Sequence, residues 1–237
     1  MKPFSAANRP ERPAAETARH SPPRAPGYEI RGVRLRRGGT TVLDGLAADI
    51  PGGACTVLTG PSGAGKSALL RLLIRLDDPD IGRITFDGMD LTAHDVLALR
   101  RRVQLVAQRP VLLTGSVLSE VRIARPDLTE TQVETLLVRA GLPARFLARS
   151  TRGLSGGEAA RLCVARALAT NPQVLLADEP TAALDDTSTR ALEHTLSEFT
   201  TGGGTLVLVS HDSAQIGRLA GQVITLDHGR RTTGEHS

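Results

Sequence analysis

Gly60-Pro61-Ser62-Gly63-Ala64-Gly65-Lys66-Ser67 decides how this chain is read. The stretch fits G-x-x-x-x-G-K-[S/T]. It lies between an apolar run, Cys55-Thr56-Val57-Leu58-Thr59, and a leucine-rich pattern of helical period from Ala68 to Leu76. A loop of that spacing, leaving a strand and opening a helix, cradles phosphate. Its glycines let successive backbone N–H groups turn inward, and the helix N-terminus adds the positive end of its dipole. Gly60, Pro61, Ser62, Gly63, Ala64 and Gly65 form the expected cradle. Lys66 is expected to reach the β- and γ-phosphates, and the Ser67 hydroxyl to hold Mg²⁺. The bland alternative is a glycine-rich turn that binds nothing. Against it, only Lys2 and Lys66 among the 29 basic residues are lysines. A chain that otherwise writes its cations as arginine keeps one compact ammonium here.

Outward from the loop, Tyr28 to Ile50 alternates apolar and polar around Gly38-Gly39, which predicts an antiparallel strand pair. Ile84-Thr85-Phe86-Asp87-Gly88 reads as a short strand closing in a turn, followed by a helix through Leu91 to Arg102 and a strand Val103 to Ala107 that stops at Gln108. Arg100-Arg101-Arg102 is expected to be a solvated helix end. Ser116 to Ser150 reads as helical throughout, with a capping box at Thr129-Glu130-Thr131-Gln132 and a stop at Gly141. That stretch predicts a small helical subdomain inserted at about 109–153. Beyond it, helix and strand alternate: helix Gly157 to Thr170, strand Val174 to Ala177, helix Asp186 to Thr200, strand Leu206 to Val209, helix Ser213 to Ala220, strand Val223 to Leu226. Such alternation predicts an α/β chain with a largely parallel sheet covered on both faces.

Composition narrows the function classes. The chain has 237 residues and 40% hydrophobic content, enough for a real core, but no run approaches the ~20 apolar residues that span a bilayer. The first residues lack the apolar segment of a signal peptide. Cys55 and Cys163 read as two reduced, packed cysteines of a cytosolic protein. Residues 1–37 hold nine Lys/Arg against three Glu, a net +6, while the remainder holds 20 against 22. The basic excess is therefore a property of the first 27 residues and their border, and residues 1–27 read as a disordered tail. With one Tyr, four Phe and no Trp there is no aromatic platform for stacking bases, so no nucleic-acid partner is expected.

Three strand ends carry candidate chemistry. Val174-Leu175-Leu176-Ala177 runs into Asp178-Glu179, and a parallel sheet presents strand carboxyl ends beside the phosphate loop. Asp178 fits a Mg²⁺ ligand, and Glu179 fits the base that takes a proton from attacking water. Leu206 to Ser210 ends at His211, placed to meet a γ-phosphate; the other five histidines read as structural. Gln108 could contact Mg²⁺ or the lytic water. Leu154-Ser155-Gly156-Gly157-Glu158 opens a helix with Ser155 at the N-cap, either a plain capped start or a second anion cradle. One nucleotide has no use for two cradles, whereas two copies arranged head to tail do.

This ordered set resembles the nucleotide-binding subunit of an ATP-binding cassette (ABC) transporter over roughly residues 28 to 230. The phosphate loop stands at 60–67, Gln108 in the Q-loop, Leu154 to Glu158 in the signature, Val174 to Glu179 in Walker B, Ala183-Leu184-Asp185 in the D-loop, and His211 at the switch position. The resemblance implies a P-loop NTPase (RecA-like) core with an N-terminal antiparallel β subdomain. It also implies MgATP sandwiched in a dimer of two copies, with Ser155, Gly156 and Gly157 on the partner's γ-phosphate and Asp185 near the shared nucleotide. An integral-membrane permease subunit on another chain and a cytoplasmic location, peripheral on the inner face of the cell membrane, follow from it too. Three positions depart from the pattern: Arg37 where an aromatic commonly stacks on adenine, Glu158 for the commoner Gln, and Ala182 for Ser. A guanidinium can stack on a base, so Arg37 is expected to do so. The rival readings are a soluble ABC-type mechanical ATPase acting on nucleic acid or ribosomes, and an unrelated nucleotide switch.

Overall fold

The computed structural model describes residues 25–232. Strands β1 (Tyr28–Arg37) and β2 (Thr40–Ile50) form a hairpin, and β3 (Cys55–Thr59) leads through the phosphate loop into α1 (Lys66–Leu73). A second hairpin, β4 (Ile81–Phe86) and β5 (Met89–Asp90), precedes α2 (Val96–Arg102) and β6 (Val103–Val106). Helices α3 (Val117–Ala124) and α4 (Glu130–Arg139) follow, then α5 (Gly156–Ala169). The remainder alternates: β7 (Val174–Asp178), α6 (Asp186–Thr201), β8 (Thr205–Val209), α7 (Ser213–Leu219), β9 (Gln222–Asp227) and β10 (Arg230–Thr232).

The strands form two sheets. One is four-stranded and antiparallel in the order β2-β1-β4-β5; the other has six strands in the order β10-β9-β3-β8-β7-β6. In the larger sheet β9, β3, β8, β7 and β6 all pair in parallel, and only the short β10 is antiparallel. Because side chains alternate faces along a strand, that sheet belongs to two cores at once. Leu58, Val174, Leu176, Val207, Val209, Ile224 and Leu226 face α1 and the antiparallel sheet. Val57, Leu175, Ala177, Leu206 and Leu208 face the helices α3 to α7. Fully buried strands with no polar face are what parallel sheets require.

The architecture agrees with the α/β class, the antiparallel N-terminal unit and the inserted helical part read from sequence. Four details differ. Leu91 to Arg102 is not one helix: Asp90 caps a 3₁₀ turn at Leu91–Ala93, the chain then extends at His94, and Asp95 caps α2 afresh. The stretch 116–150 is likewise divided into α3, α4 and a 3₁₀ segment Ala144–Ala148, with its two ends bridged at Ser116 and Ser150. Strand β10 was not anticipated; it is turned back by His228 and Gly229, at φ 46° and 77°. Finally, the expected tail over 1–27 falls outside the described residues except at 25–27, and there the chain is already packed: Thr205 Oγ1 donates to the Pro26 carbonyl at 2.8 Å. Among the described residues no helix is long and apolar enough to cross a membrane. Both cysteines are free and buried.

Candidate nucleotide site

The parallel register brings the functional strand ends to one edge. Leu58 and Asp178 both pair with Val209, and Ala177 pairs with Val106. The loops that follow, at 60, 179, 211 and 108, therefore leave the sheet side by side. They enclose a cavity of about 510 Å³ lined by Ser62, Gly63, Gly65, Lys66 and Ser67 of the phosphate loop, by Gln108, Glu179 and His211, and by Val42 and Ala68.

Two glycines of the loop are dictated by close approach. Gly60 has φ 130°, and a Cβ there would sit 1.9 Å from the Leu226 carbonyl oxygen of β9. Gly65 has φ 97°, and its Cβ would lie 2.8 Å from the Val42 carbonyl. Gly65 also leaves α1 without a side-chain cap, so the first-turn N–H groups stay open toward the cavity. Lys66 is 6% exposed, and its Nζ donates to the carbonyls of Gly60 at 2.7 Å and Pro61 at 2.9 Å. Burial pushes its pKa down, against the opposing pull of the nearby Glu179 and Asp178 carboxylates. Asp178 is also buried. Desolvation raises its pKa, while a hydrogen bond from Ser67 and the Lys66 ammonium pull the other way and Glu179 adds to the rise.

Glu179 is held from two sides. Gln108 Nε2 donates to Oε2 at 2.9 Å, and His211 Nε2 lies 3.1 Å from Oε1. Its backbone has φ 48°, the left-handed region that costs a non-glycine residue on the order of 1 kcal/mol or more. The Glu179 N–H donates to the Val209 carbonyl at 3.2 Å, so the neighbouring strand fixes this bend. The sequence thus named the groups that the fold assembles: Lys66, Ser67, Asp178, Glu179, His211 and Gln108 stand together.

The donor set suits Mg²⁺. Ser67 hydroxyl, Asp178 carboxylate and Gln108 amide oxygen are hard oxygen ligands. Among the described residues no group of three or more His, Cys, Asp or Glu could hold a metal alone.

Ser155 N-caps α5 in a reciprocal capping box: its Oγ accepts from the Glu158 N–H at 3.2 Å, and Glu158 Oε2 accepts from the Ser155 N–H at 2.7 Å. Arg149 adds an ion pair to Glu158 at 3.2 Å. Those contacts, the Ser155 backbone bond first, hold the Glu158 carboxyl below its ordinary range. Ser155 and Gly156 are exposed, and neither lines the cavity at Lys66. Gly157 is buried for a reason the motif does not disclose: a Cβ there would meet Leu184 Cδ2 at 2.7 Å and the Ala183 carbonyl at 3.1 Å. The signature helix and the 183–185 loop therefore pack backbone against side chain.

Of the expected cradle, Gly60, Pro61 and Ala64 do not themselves line the cavity, and outside it Arg37 and Asp185 are engaged elsewhere. Arg37 turns aside to Asp77, with Nη2 3.0 Å from Oδ1, where Arg71 also pairs at 2.7 Å. Asp185 instead caps α6, accepting from the Ser188 N–H at 2.8 Å and from its hydroxyl at 3.1 Å. Sequence reading also passed over Glu120. This residue is 0% exposed on α3, accepts from the backbone N–H groups of Leu113 and Thr114 at 2.9 and 2.8 Å, and is ion-paired with Arg166. It anchors the segment that follows Gln108. Its signal was a lone acid on the apolar face of a helix.

The model of a family described as "ABC transporter" matches residues 43–182. The chain is 42% identical over 193 residues to ABC transporter I family member 17 of Arabidopsis thaliana, covering 79% of this chain and 73% of that one. It is 38% identical over 209 residues to Phosphate import ATP-binding protein PstB 2 of Synechococcus sp. (strain JA-3-3Ab), covering 81% and 78%. With Protein STAR1 of Oryza sativa subsp. japonica it shares 41% over 211 residues, 86% of this chain but 61% of the relative's length. A solved structure of a bacterial Atm1-family ABC exporter with ATP bound superposes with a TM-score of 0.81 at 30% identity, covering 87% of this chain and 38% of the exporter chain. The chain belongs to the ABC transporter family, as a nucleotide-binding domain. It spans about three-fifths of the rice relative and well under half of the exporter chain.

Proposed function

We propose that the chain hydrolyses MgATP between two copies of itself and so drives transport through a separate membrane-spanning subunit. The observation that carries this is the Glu179 carboxylate, pinned by Gln108 and His211 at the lip of the cavity that Lys66, Ser67 and the open α1 turn define. The backbone N–H groups of 62–67 and the Lys66 ammonium bind and orient the β- and γ-phosphates. Mg²⁺, when bound, neutralises charge on the phosphate oxygens, and Ser67, Asp178 and Gln108 are the residues that would hold it. Glu179 takes the proton from the attacking water, and His211 orients the carboxylate and meets the γ-phosphate side.

The dimer follows from the second cradle. Ser155 offers its hydroxyl and Gly156 its helix-start N–H to solvent, outside their own chain's cavity. A twin docked head to tail places them on its nucleotide. The membrane subunit is supported by Val111, Leu113 and Ile123, three large apolar side chains 47–64% exposed on and beside the segment that leaves Gln108. A helix from an integral-membrane chain would cover them, and the reading puts this chain at the cytoplasmic face of that partner. The Arabidopsis and Synechococcus relatives and the exporter structure reported above carry transporter or import names, and these favour transport over an action on nucleic acid or ribosomes.

The test is Glu179→Gln. Turnover should fall by about 10²–10⁴-fold while MgATP still binds, and the chain should accumulate as a dimer on size exclusion with ATP. Parental turnover in that variant would remove Glu179 from the role of base.

A further inference from the structure

The loop after Glu179 is tied to the loop after Ser210 at a second point, away from the phosphates. Gln215 on α7 is 1% exposed, and its Nε2 donates to Thr181 Oγ1 at 3.1 Å and to Glu193 Oε1 at 3.1 Å. Glu193 on α6 is 5% exposed and is gripped by Arg218, with Nε 2.8 Å from Oε2 and Nη2 2.7 Å from Oε1. A carboxylate taken that deep is costly unless its lone pairs are filled. Here a forked guanidinium and an amide fill them.

Helix α7 itself starts at Asp212, whose carboxylate accepts from the N–H groups of Ala214 and Gln215 at 2.8 and 3.2 Å, directly after His211. The links close a ring. It runs from Glu179 through Pro180 to Thr181, across to Gln215, back along the first turn of α7 to Asp212 and His211, and from His211 Nε2 to Glu179 Oε1. Glu179 sits in a strained backbone conformation, which persists only while its surroundings hold it. None of Thr181, Glu193, Gln215 and Arg218 lines the cavity at Lys66.

We propose that Gln215, clamped by Glu193 and Arg218, is a positioning residue that acts through the Thr181 hydroxyl to set where the Glu179 carboxylate stands against His211. The proposal rests on the ATPase reading above. A small displacement of a general base lowers the rate of the chemical step without weakening the grip on the phosphates.

Thr181→Val removes the hydroxyl at nearly constant volume on a half-buried loop. In the full chain, kcat for MgATP should fall about tenfold, while KM and the affinity for a non-hydrolysable ATP analogue stay within about twofold. Thr181→Ser, which restores the acceptor, should recover most of the lost kcat, and Gln215→Met, matched in size, should reproduce the loss. Parental kcat in Thr181→Val overturns the proposal. So does a loss that appears equally in analogue binding, or one that serine fails to recover. A parent chain that neither binds nor hydrolyses ATP is a different result: it removes the ATPase reading itself, and this inference with it.

Discussion

At Gly65 the first turn of α1 has no side-chain cap, whereas at Ser155 the first turn of α5 is capped reciprocally by Ser155 and Glu158. The first start lies in a concave site, with Lys66 buried and an acid pair behind it; the second is exposed and lies outside that cavity. A helix start that waits for phosphate inside its own fold can leave its N–H groups open because the ligand satisfies them. One that stands at the surface must hold its shape before a ligand arrives, and the capping box does that at about 1 kcal/mol. On the dimer proposed above, the contrast is that between a complete pocket and the missing wall of another.

The sharpest way to break the contrast is to mix chains. Glu179→Gln and Ser155→Arg should each be inactive alone. If each nucleotide is completed by the other chain's Ser155, an equal mixture regains one intact site in every mixed dimer. Half the dimers are mixed, so about a quarter of parental turnover returns. A mixture as inactive as its components would mean that both cradles serve the same chain's nucleotide.

Smaller effects separate the two glycines of the second cradle. Gly157→Ala forces a Cβ against Leu184 and the Ala183 carbonyl, and should lower stability by about 1–3 kcal/mol, read as a melting temperature reduced by several degrees. Gly156→Ala meets only Ala183 Cβ at 3.9 Å and should leave the melting temperature within about a degree. Equal melting temperatures for the two variants would show that Gly157 is not held by packing.

The smallest effect concerns the cap. Glu158→Gln keeps an acceptor for the Ser155 N–H but loses the charge that pairs with Arg149. The Glu158 carboxyl is held below its ordinary range in the folded chain, so its stabilisation is present above that range and is lost as pH falls through the depressed value. The parent should therefore exceed Glu158→Gln by a few tenths of a kcal/mol at neutral pH, and the two should converge in acid. A gap that persists in acid would assign the difference to something other than the charge.

Most of the first cradle was readable because its residues are consecutive and their chemistry is local. The strand-end residues Asp178, Glu179, His211 and Gln108 could be read because a parallel sheet aligns strand ends without further information. What escaped depends on partners distant in sequence. Arg37 looked free to stack on a base until Asp77, forty residues on, claimed it. Gly157 read as a phosphate contact, and its close neighbours at 183 and 184 were invisible to the motif. Glu120 and Glu193 were buried acids whose cations, Arg166 and Arg218, lie on other helices. The breaks in the helical stretches were local but masked: Asp90 and Asp95 cap two short starts where an apolar period seemed continuous. Strand β10 had its cue in His228-Gly229, a two-residue turn of the kind hairpins favour.

The left-handed bend at Glu179 sets evolution and engineering at odds. Glycine would adopt φ 48° at no steric cost, so a library screened for heat resistance alone would tend to enrich glycine at 179 and discard the one carboxylate that two strand ends converge upon. With Glu179 in the role proposed above, melting curves of such a collection would improve as its members fell silent.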